Sequence, residues 1–174
     1  LHPLEEQRNS VRDWRQIGIG VMGASVVKHL LNAGKEVTIY TRTKSKAEPL
    51  LALGAKWANS PAEASKNQQV IFTMVGYPSD VREVYEGEQG ILAAANEGTI
   101  VVDMTTSEPM LAKEIYDKAK EKNIASLDAP VSGGDIGAHL ASMDNIIRLI
   151  GEMASDEREI AGNLTSLKSN LGTL

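Results

Sequence analysis

Hydrophobic positions along this chain fall into two alternating kinds of pattern, short unbroken runs and stripes spaced for a helix. "SVVKHLLNAG" puts Val26, Val27, Leu30 and Leu31 on one helical face, with Gly34 where a C-terminal cap belongs. "EVTIY" comes next, short and β-branched, as a buried strand is. "SKAEPLLALG" predicts a helix ending at Gly54, with Pro49 tolerated only in its first turn. In "NSPAEAS", Ser60 takes the N-cap position and Pro61 the first helical one. "QVIFTMV" (69–75) is apolar throughout, the pattern of a strand covered on both faces. A short helix in "SDVREVYEG" and another buried strand in "GTIVVDMTT" come after it. "SEPMLAKEIYDKAKEKN" is an amphipathic helix with lysines in its last turns, where the helix dipole favours them. A strand in "IASLDAP", one more in "NIIRLIG" and a final helix in "SDEREIAGNLTSLKSNLG" complete the series. Strands and helices alternating in this way predict an α/β fold, a doubly wound, mostly parallel sheet with helices on both faces. Residues 11–174 are assigned to that domain and residues 1–10 to a tail.

One segment breaks the pattern. "VRDWRQ" precedes the first glycine cluster, and Val11, Trp14 and Ile17 are the only large apolar residues there. A central strand of a parallel sheet should be more apolar, so this strand is either short or altered. The glycine cluster itself is more definite. Gly18-Ile19-Gly20-Val21-Met22-Gly23 fits G-x-G-x-x-G and opens a helix that a strand succeeds. In that Rossmann-like context Gly18 makes the tight turn, Gly20 lets the backbone approach a pyrophosphate, and Gly23 allows close helix–strand packing. The helix then offers free N–H groups and its positive dipole end to the phosphates. The competing view is a packed glycine loop that binds nothing.

The end of the second strand bears on which dinucleotide is bound. NAD-binding domains carry an acid about 20 residues after the glycines, for the ribose hydroxyls. Here the sequence is "YTRTKSKA", with Arg42, Thr43, Lys44 and Lys46. A guanidinium grips a 2′-phosphate bidentately where a carboxylate would repel it. These residues therefore point to NADP, with NAD possible; the alternative is a solvated basic loop.

Composition narrows the classes. The formal net charge of −5 argues against a nucleic-acid partner, which needs a basic face. The absence of cysteine excludes disulfides, thiolate metal sites and cysteine nucleophiles. His2, His29 and His139 lack metal-ligand spacing. No apolar run approaches the roughly 18–20 residues that span a bilayer, and the first residues lack a signal-peptide core. The expectation is a cytoplasmic protein with no membrane and no metal.

Four blocks, "GIGVMGASVVKHLLNAGKEVTIYTRT", "FTMVGYPSDVREVY", "VVDMTTSEP" and "LDAPVSGGDIGA", give the chain a resemblance to the β-hydroxyacid dehydrogenase family. That family includes the 3-hydroxyisobutyrate dehydrogenases and the glyoxylate/succinic semialdehyde reductases. The resemblance covers roughly residues 17–138, and "DAPVSGG" is its most specific string. It implies that Gly18 to Gly23 hold the pyrophosphate and that Arg42 and Thr43 favour NADP. It places Met74 and Val75 beside the cofactor and Thr106 near the nicotinamide. Ser132, Gly133 and Gly134 would take a substrate carboxylate, a role suited to a hydroxyl beside nearly unshielded N–H groups. Asp103 and Asp128 end strands, where hydrogen bonds to loop backbone are their expected role.

After Ala138 the likeness loosens. Family members continue into an all-helical domain that carries a catalytic lysine, a general acid/base in hydride transfer, and that usually forms the dimer. The chain ends before such a domain would begin. Gly162 and Lys168 have the lysine motif's spacing, but its second glycine is missing, so Lys168 reads as the end of an ordinary helix. The resulting expectation is an NADP(H)-binding domain of a 3-hydroxyisobutyrate dehydrogenase-like oxidoreductase, with little or no turnover as this chain. Its substrate would be a small carboxylic acid, a β-hydroxyacid or semialdehyde. The alternatives are a non-catalytic binding or regulatory module and a relic whose nucleotide site is spoiled. The oligomeric state is left open.

Overall fold

The computed structural model describes residues 13–130. Within them six strands form one sheet: β1 (Asp13–Ile17), β2 (Glu36–Tyr40), β3 (Lys56–Trp57), β4 (Val70–Thr73), β5 (Ile100–Asp103) and β6 (Ala125–Asp128). Their order is β3-β2-β1-β4-β5-β6, and every pairing is parallel. Parallel neighbours need crossovers, which are supplied by α1 (Val21–Asn32), α2 (Glu48–Ala52), α3 (Pro61–Ser65), α4 (Pro78–Glu86), α5 (Ile91–Ala94) and α6 (Pro109–Glu121). The fold is the α/β, Rossmann-like one expected, with a sheet that is wholly parallel.

Side-chain alternation explains why helices cover both faces. Val70 and Phe72 of β4 and Ile100 and Val102 of β5 join the core beneath α1 and α2, with Val26, Val27, Leu30 and Leu50. Ile71 and Val101, one residue out of step, join Ala64, Val81, Val84, Tyr85, Ile91, Leu111 and Ile115 from α3, α4, α5 and α6 on the other face. Complete burial of such aliphatic side chains contributes about 1.5–3 kcal/mol each. Strands buried on both sides have to be apolar throughout, and β4 and β5 are nearly so.

The polar segment before Gly18 does build the central strand. β1 is only five residues long, yet it pairs with β2 along its full length and with β4 through Gln16 and Ile17. Trp14 is buried and stacks on Phe72 of β4, ring centroids 4.7 Å apart. Gln16 is also buried, at 1% exposure, where an apolar residue was expected. The polarity of the segment marks a short strand, not a missing one.

Local signals hold elsewhere. The Ser60 hydroxyl accepts a hydrogen bond from the Glu63 N–H at 3.0 Å, and Pro61 opens α3. Gly34 sits at φ +74 after α1, where the Lys35 N–H reaches back to the Leu30 carbonyl. Pro49 lies in the first turn of α2. Two elements carry no periodic signal and were not anticipated, the two-residue β3 and the one-turn α5. The predicted strand in "NIIRLIG", the final helix and the tail at 1–10 lie outside the described residues. No described helix is long and apolar enough to cross a membrane.

Candidate dinucleotide site

The chain winds outward from β1 to β2 and β3, then returns to β4 on the other side of β1. That reversal opens a crevice above the carboxyl ends of β1 and β4, where open α/β sheets bind ligands. Register fixes its surroundings. Tyr40, Ile17, Thr73, Asp103 and Asp128 stand side by side as the last row of five adjacent strands. The segments leaving that row, at Thr41, Gly18, Met74 and Met104, form the rim.

The glycine turn leaves β1 in a conformation that its three glycines divide among themselves. Gly18 has φ +87, donates its N–H to the Tyr40 carbonyl at 2.9 Å, and lies against the exit of β4. A Cβ at Gly18 would meet the Met74 carbonyl oxygen at 2.1 Å and Val75 Cγ1 at 2.8 Å. A Cβ at Gly23 would meet the Gly18 carbonyl oxygen at 2.3 Å, so this glycine lets α1 sit directly on the turn. Gly20 differs, because a Cβ there would meet nothing within 4 Å. Its backbone faces open space at the start of a twelve-residue helix whose first turn holds no acidic residue. An anion approaching there meets N–H groups and a positive dipole end, so the residues present fit a dinucleotide's pyrophosphate. Gly20 and Val21 are exposed and Met22 is half-buried. Ile19 turns its side chain into the core, which leaves only its backbone for a ligand.

Gln16 props the turn from below. Its Nε2 donates to the Gly18 carbonyl at 3.1 Å and to the Ile17 carbonyl at 3.4 Å, while its Oε1 is buried with no hydrogen-bond partner. A buried polar side chain on a central strand is tolerated because its amide donates to the Gly18 carbonyl of the turn and shares the Ile17 carbonyl, which also accepts the Met74 N–H at 2.9 Å.

On the β4–β5 side the rim rests on a buried polar chain. Thr73 Oγ1 donates to Asp103 Oδ1 at 2.8 Å and stands 2.9 Å from the Tyr85 hydroxyl. The single Thr73 proton is committed to the carboxylate, so Tyr85 donates to Thr73. Asp103 Oδ1 also accepts the Thr105 N–H at 3.0 Å, and Thr105 Oγ1 accepts the Val75 N–H at 3.0 Å. The chain joins α4, β4, β5 and both loops that leave those strands. Burial pushes the Asp103 carboxyl above the ordinary carboxylate value against the pull of its hydrogen bonds, and burial also pushes the Tyr85 hydroxyl well above its own. Asp103 thus takes the role expected of it, accepting a loop N–H. Asp128, its register neighbour on β6, is exposed.

The β2 side of the rim is open to solvent. Arg42, Thr43, Lys44 and Lys46 are all exposed. Arg42 Nη1 lies 2.8 Å from Asp80 Oδ1, with the arginine side chain 65% exposed and the aspartate 12%. Lys44 Nζ lies over the Trp57 ring, 5.4 Å from its centroid, and the Lys46 N–H bonds the Thr43 carbonyl.

The structure therefore packs Gly18 against Met74 and Val75 and Gly23 against Gly18, with Ile19 to Met22 between them on the same turn. Thr106 is exposed on the rim one residue beyond Thr105, while Arg42 pairs with Asp80 in the first turn of α4. Ser132, Gly133, Gly134 and Lys168 lie outside the described residues. Sequence reasoning missed Gln16, Thr73, Tyr85, Thr105 and Asp80. The first four are buried or half of a long-range pair, and nothing local in "PSDVREV" marks Asp80 as a partner for Arg42.

Comparison with known proteins agrees with this geometry. Residues 15–147 match the family model described as the NAD binding domain of 6-phosphogluconate dehydrogenase. The chain is 59% identical over 122 residues to the uncharacterized oxidoreductase YkwC of Bacillus subtilis (strain 168), an alignment covering 70% of this chain and 42% of that protein. Among solved structures, Mycobacterium tuberculosis 3-hydroxyisobutyrate dehydrogenase with L-serine superposes with a TM-score of 0.67 at 31% identity, over 73% of this chain and 43% of the other. Psf3 in complex with NADP+ and 2-OPP gives a TM-score of 0.68 at 30% identity, over 71% of this chain and 44% of the other. The chain spans less than half the length of each of these proteins.

Proposed function

The chain belongs to the 3-hydroxyisobutyrate dehydrogenase-like β-hydroxyacid dehydrogenases and carries their NAD(P)-binding domain, and on that premise we propose that it binds NADP(H) in preference to NAD(H). The observation that carries the preference is Arg42, a guanidinium on the exposed segment after β2, where an NAD-binding domain would place a carboxylate. Thr43 and Lys46 stand on the same segment and add hydrogen-bonding and positive charge toward a 2′-phosphate. Gly18 to Gly23 hold the pyrophosphate through backbone N–H groups. Met74, Val75 and Thr106 line the side of the crevice nearer the nicotinamide. When bound, the dinucleotide supplies the hydride-transfer chemistry of the family. This chain's residues bind and orient it.

The substrate in this reading is a small β-hydroxyacid or the matching semialdehyde, its carboxylate taken by Ser132, Gly133 and Gly134. The string "DAPVSGG" supports it, and so does the L-serine in the Mycobacterium structure, itself a small β-hydroxyacid. The described residues serve cofactor binding, so we expect the isolated 174-residue chain to bind nucleotide and to turn over slowly.

Calorimetric titration of the chain with NADPH and with NADH tests the cofactor assignment. Tighter binding of NADPH is expected, and Arg42→Ala should reduce that preference about tenfold or more, the size of one charge-assisted contact. Equal affinities for the two nucleotides, unchanged in Arg42→Ala, would remove the assignment to NADP while leaving the domain intact. A 3-hydroxyisobutyrate oxidation rate typical of dehydrogenases would overturn the expectation of slow turnover.

A further inference from the structure

Arg42 and Asp80 come from segments on opposite sides of β1. Arg42 comes after β2 and Asp80 lies in the first turn of α4, just after β4, and β2 and β4 are the two neighbours of the strand that feeds the glycine turn. Their 2.8 Å contact therefore passes across the end of the crevice that holds the turn. The two partners are not alike. Asp80 is largely covered, its Oδ2 would stand 3.5 Å from a Cβ on Gly76, and its N–H bonds the Tyr77 carbonyl at 2.9 Å. A carboxylate in the first turn of a nine-residue helix is also favoured by the dipole, with or without an arginine. Arg42 is mostly in water at the end of a long stem.

Stability is a poor reason for such a pair, because exposed ion pairs contribute little. Its position is the better one. Arg42 is the group assigned to the 2′-phosphate, and a fixed carboxylate within bonding distance of it acts on any anion that Arg42 would take. The carboxylate competes for the guanidinium and repels the phosphate directly. A dinucleotide bearing a ribose 2′-hydroxyl in place of the phosphate meets neither effect.

We propose that Asp80 is a specificity-setting counter-ion of the cofactor site, which holds Arg42 across the glycine turn and weakens the site's preference for a 2′-phosphorylated dinucleotide. The inference rests on the assignment of Arg42 to the 2′-phosphate. The chain then reads its cofactor with a matched pair of opposite charges, and NADPH selectivity is held below what Arg42 alone would give.

The test titrates the full 174-residue chain and its Asp80→Asn, Arg42→Ala and doubly substituted forms with NADPH and NADH, each form first shown to melt cooperatively. Asp80→Asn should raise the NADPH-over-NADH affinity ratio about tenfold through the NADPH arm, as removal of one nearby like charge predicts. The gain should shrink when Arg42 is already alanine. A ratio that stays put in Asp80→Asn overturns the proposal. So does a fall in NADH affinity, which would make Asp80 a ligand for the ribose hydroxyls. If Arg42→Ala leaves the ratio unchanged, the assignment of Arg42 itself fails. A lowered ratio in Arg42→Ala beside an unmoved one in Asp80→Asn removes only the role of Asp80.

Discussion

Two polar clusters flank the same glycine turn, and they differ in almost every physical respect. On the β4–β5 side, Tyr85, Thr73, Asp103 and Thr105 form a buried chain of hydrogen bonds. On the β2 side, Arg42 and Asp80 form one ion pair that is mostly in water at the arginine end. In the buried chain each group would be left unsatisfied if its neighbour were lost, so the cluster holds the geometry of two loops at once. In the ion pair the arginine end already lies in water, so Arg42 can exchange its partner at small cost and answer to a ligand. The difference teaches that burial, more than polarity, separates residues that shape the site from residues that choose what enters it.

The comparison is broken most severely at the turn that both clusters serve. Gly18→Ala combines a positive φ with a contact no Cβ can make, so we expect a loss on the order of 3 kcal/mol or more in denaturant unfolding and no measurable nucleotide binding. Gly34→Ala is the matched control, since it shares the positive φ but meets nothing within 4 Å. It should cost about 1 kcal/mol and leave binding intact. Comparable losses in the two variants would show that close packing against β4 matters little.

Thr73→Val keeps the shape of the side chain and removes the link between Tyr85 and Asp103. A destabilisation of about 1–3 kcal/mol is expected, with weaker nucleotide binding as the β4 loop loosens. A loss no larger than that of an ordinary surface substitution would demote the buried chain to a bystander.

The titration of Asp103 gives a smaller and more specific signal. Its folded-state value is raised by burial, so its contribution to stability is fully present below the ordinary carboxylate value. That contribution is lost as pH rises through the raised folded value. Asp103→Asn retains an oxygen acceptor without the charge. Its melting temperature should therefore gain on that of the parent across this window and level off above it. A gap that narrows as pH rises would mean the carboxylate is stabilised in place.

The smallest effect belongs to the exposed pair. Arg42→Ala should leave the melting temperature where it was, even as it alters nucleotide preference. A clear drop would make the pair structural after all.

How much of this was legible beforehand depends on the range of the interaction. Ser60 and Pro61 announce α3 because an N-cap acts within three residues, and the glycine turn announces itself because its backbone demands are local. β4 and β5 were readable as buried strands because a strand covered on both faces has no polar side to show. β3 was not readable, since two residues have no period and only pairing with Thr38 and Ile39 makes them a strand. β1 misled for a related reason. Hydropathy ranks Gln16 as a surface residue and has no means of knowing that the turn above it offers carbonyls to its amide. Asp80 was silent until the strand order brought α4 across from β2.

The stack of Trp14 on Phe72 carries a consequence of a different kind. The chain has two tryptophans and one phenylalanine, and this pair sits on the seam between β1 and β4, directly below the crevice. The second tryptophan, Trp57, lies on the edge strand β3 beside Tyr40 and Lys44. The molecule is thus labelled from within at two places, one chromophore watching the centre of the sheet and one its margin. A lone peeling of the edge would dim one and spare the other, whereas parting of the seam would change the near-ultraviolet dichroism of the stacked rings. Each mode of opening has its own optical signature, with no dye attached.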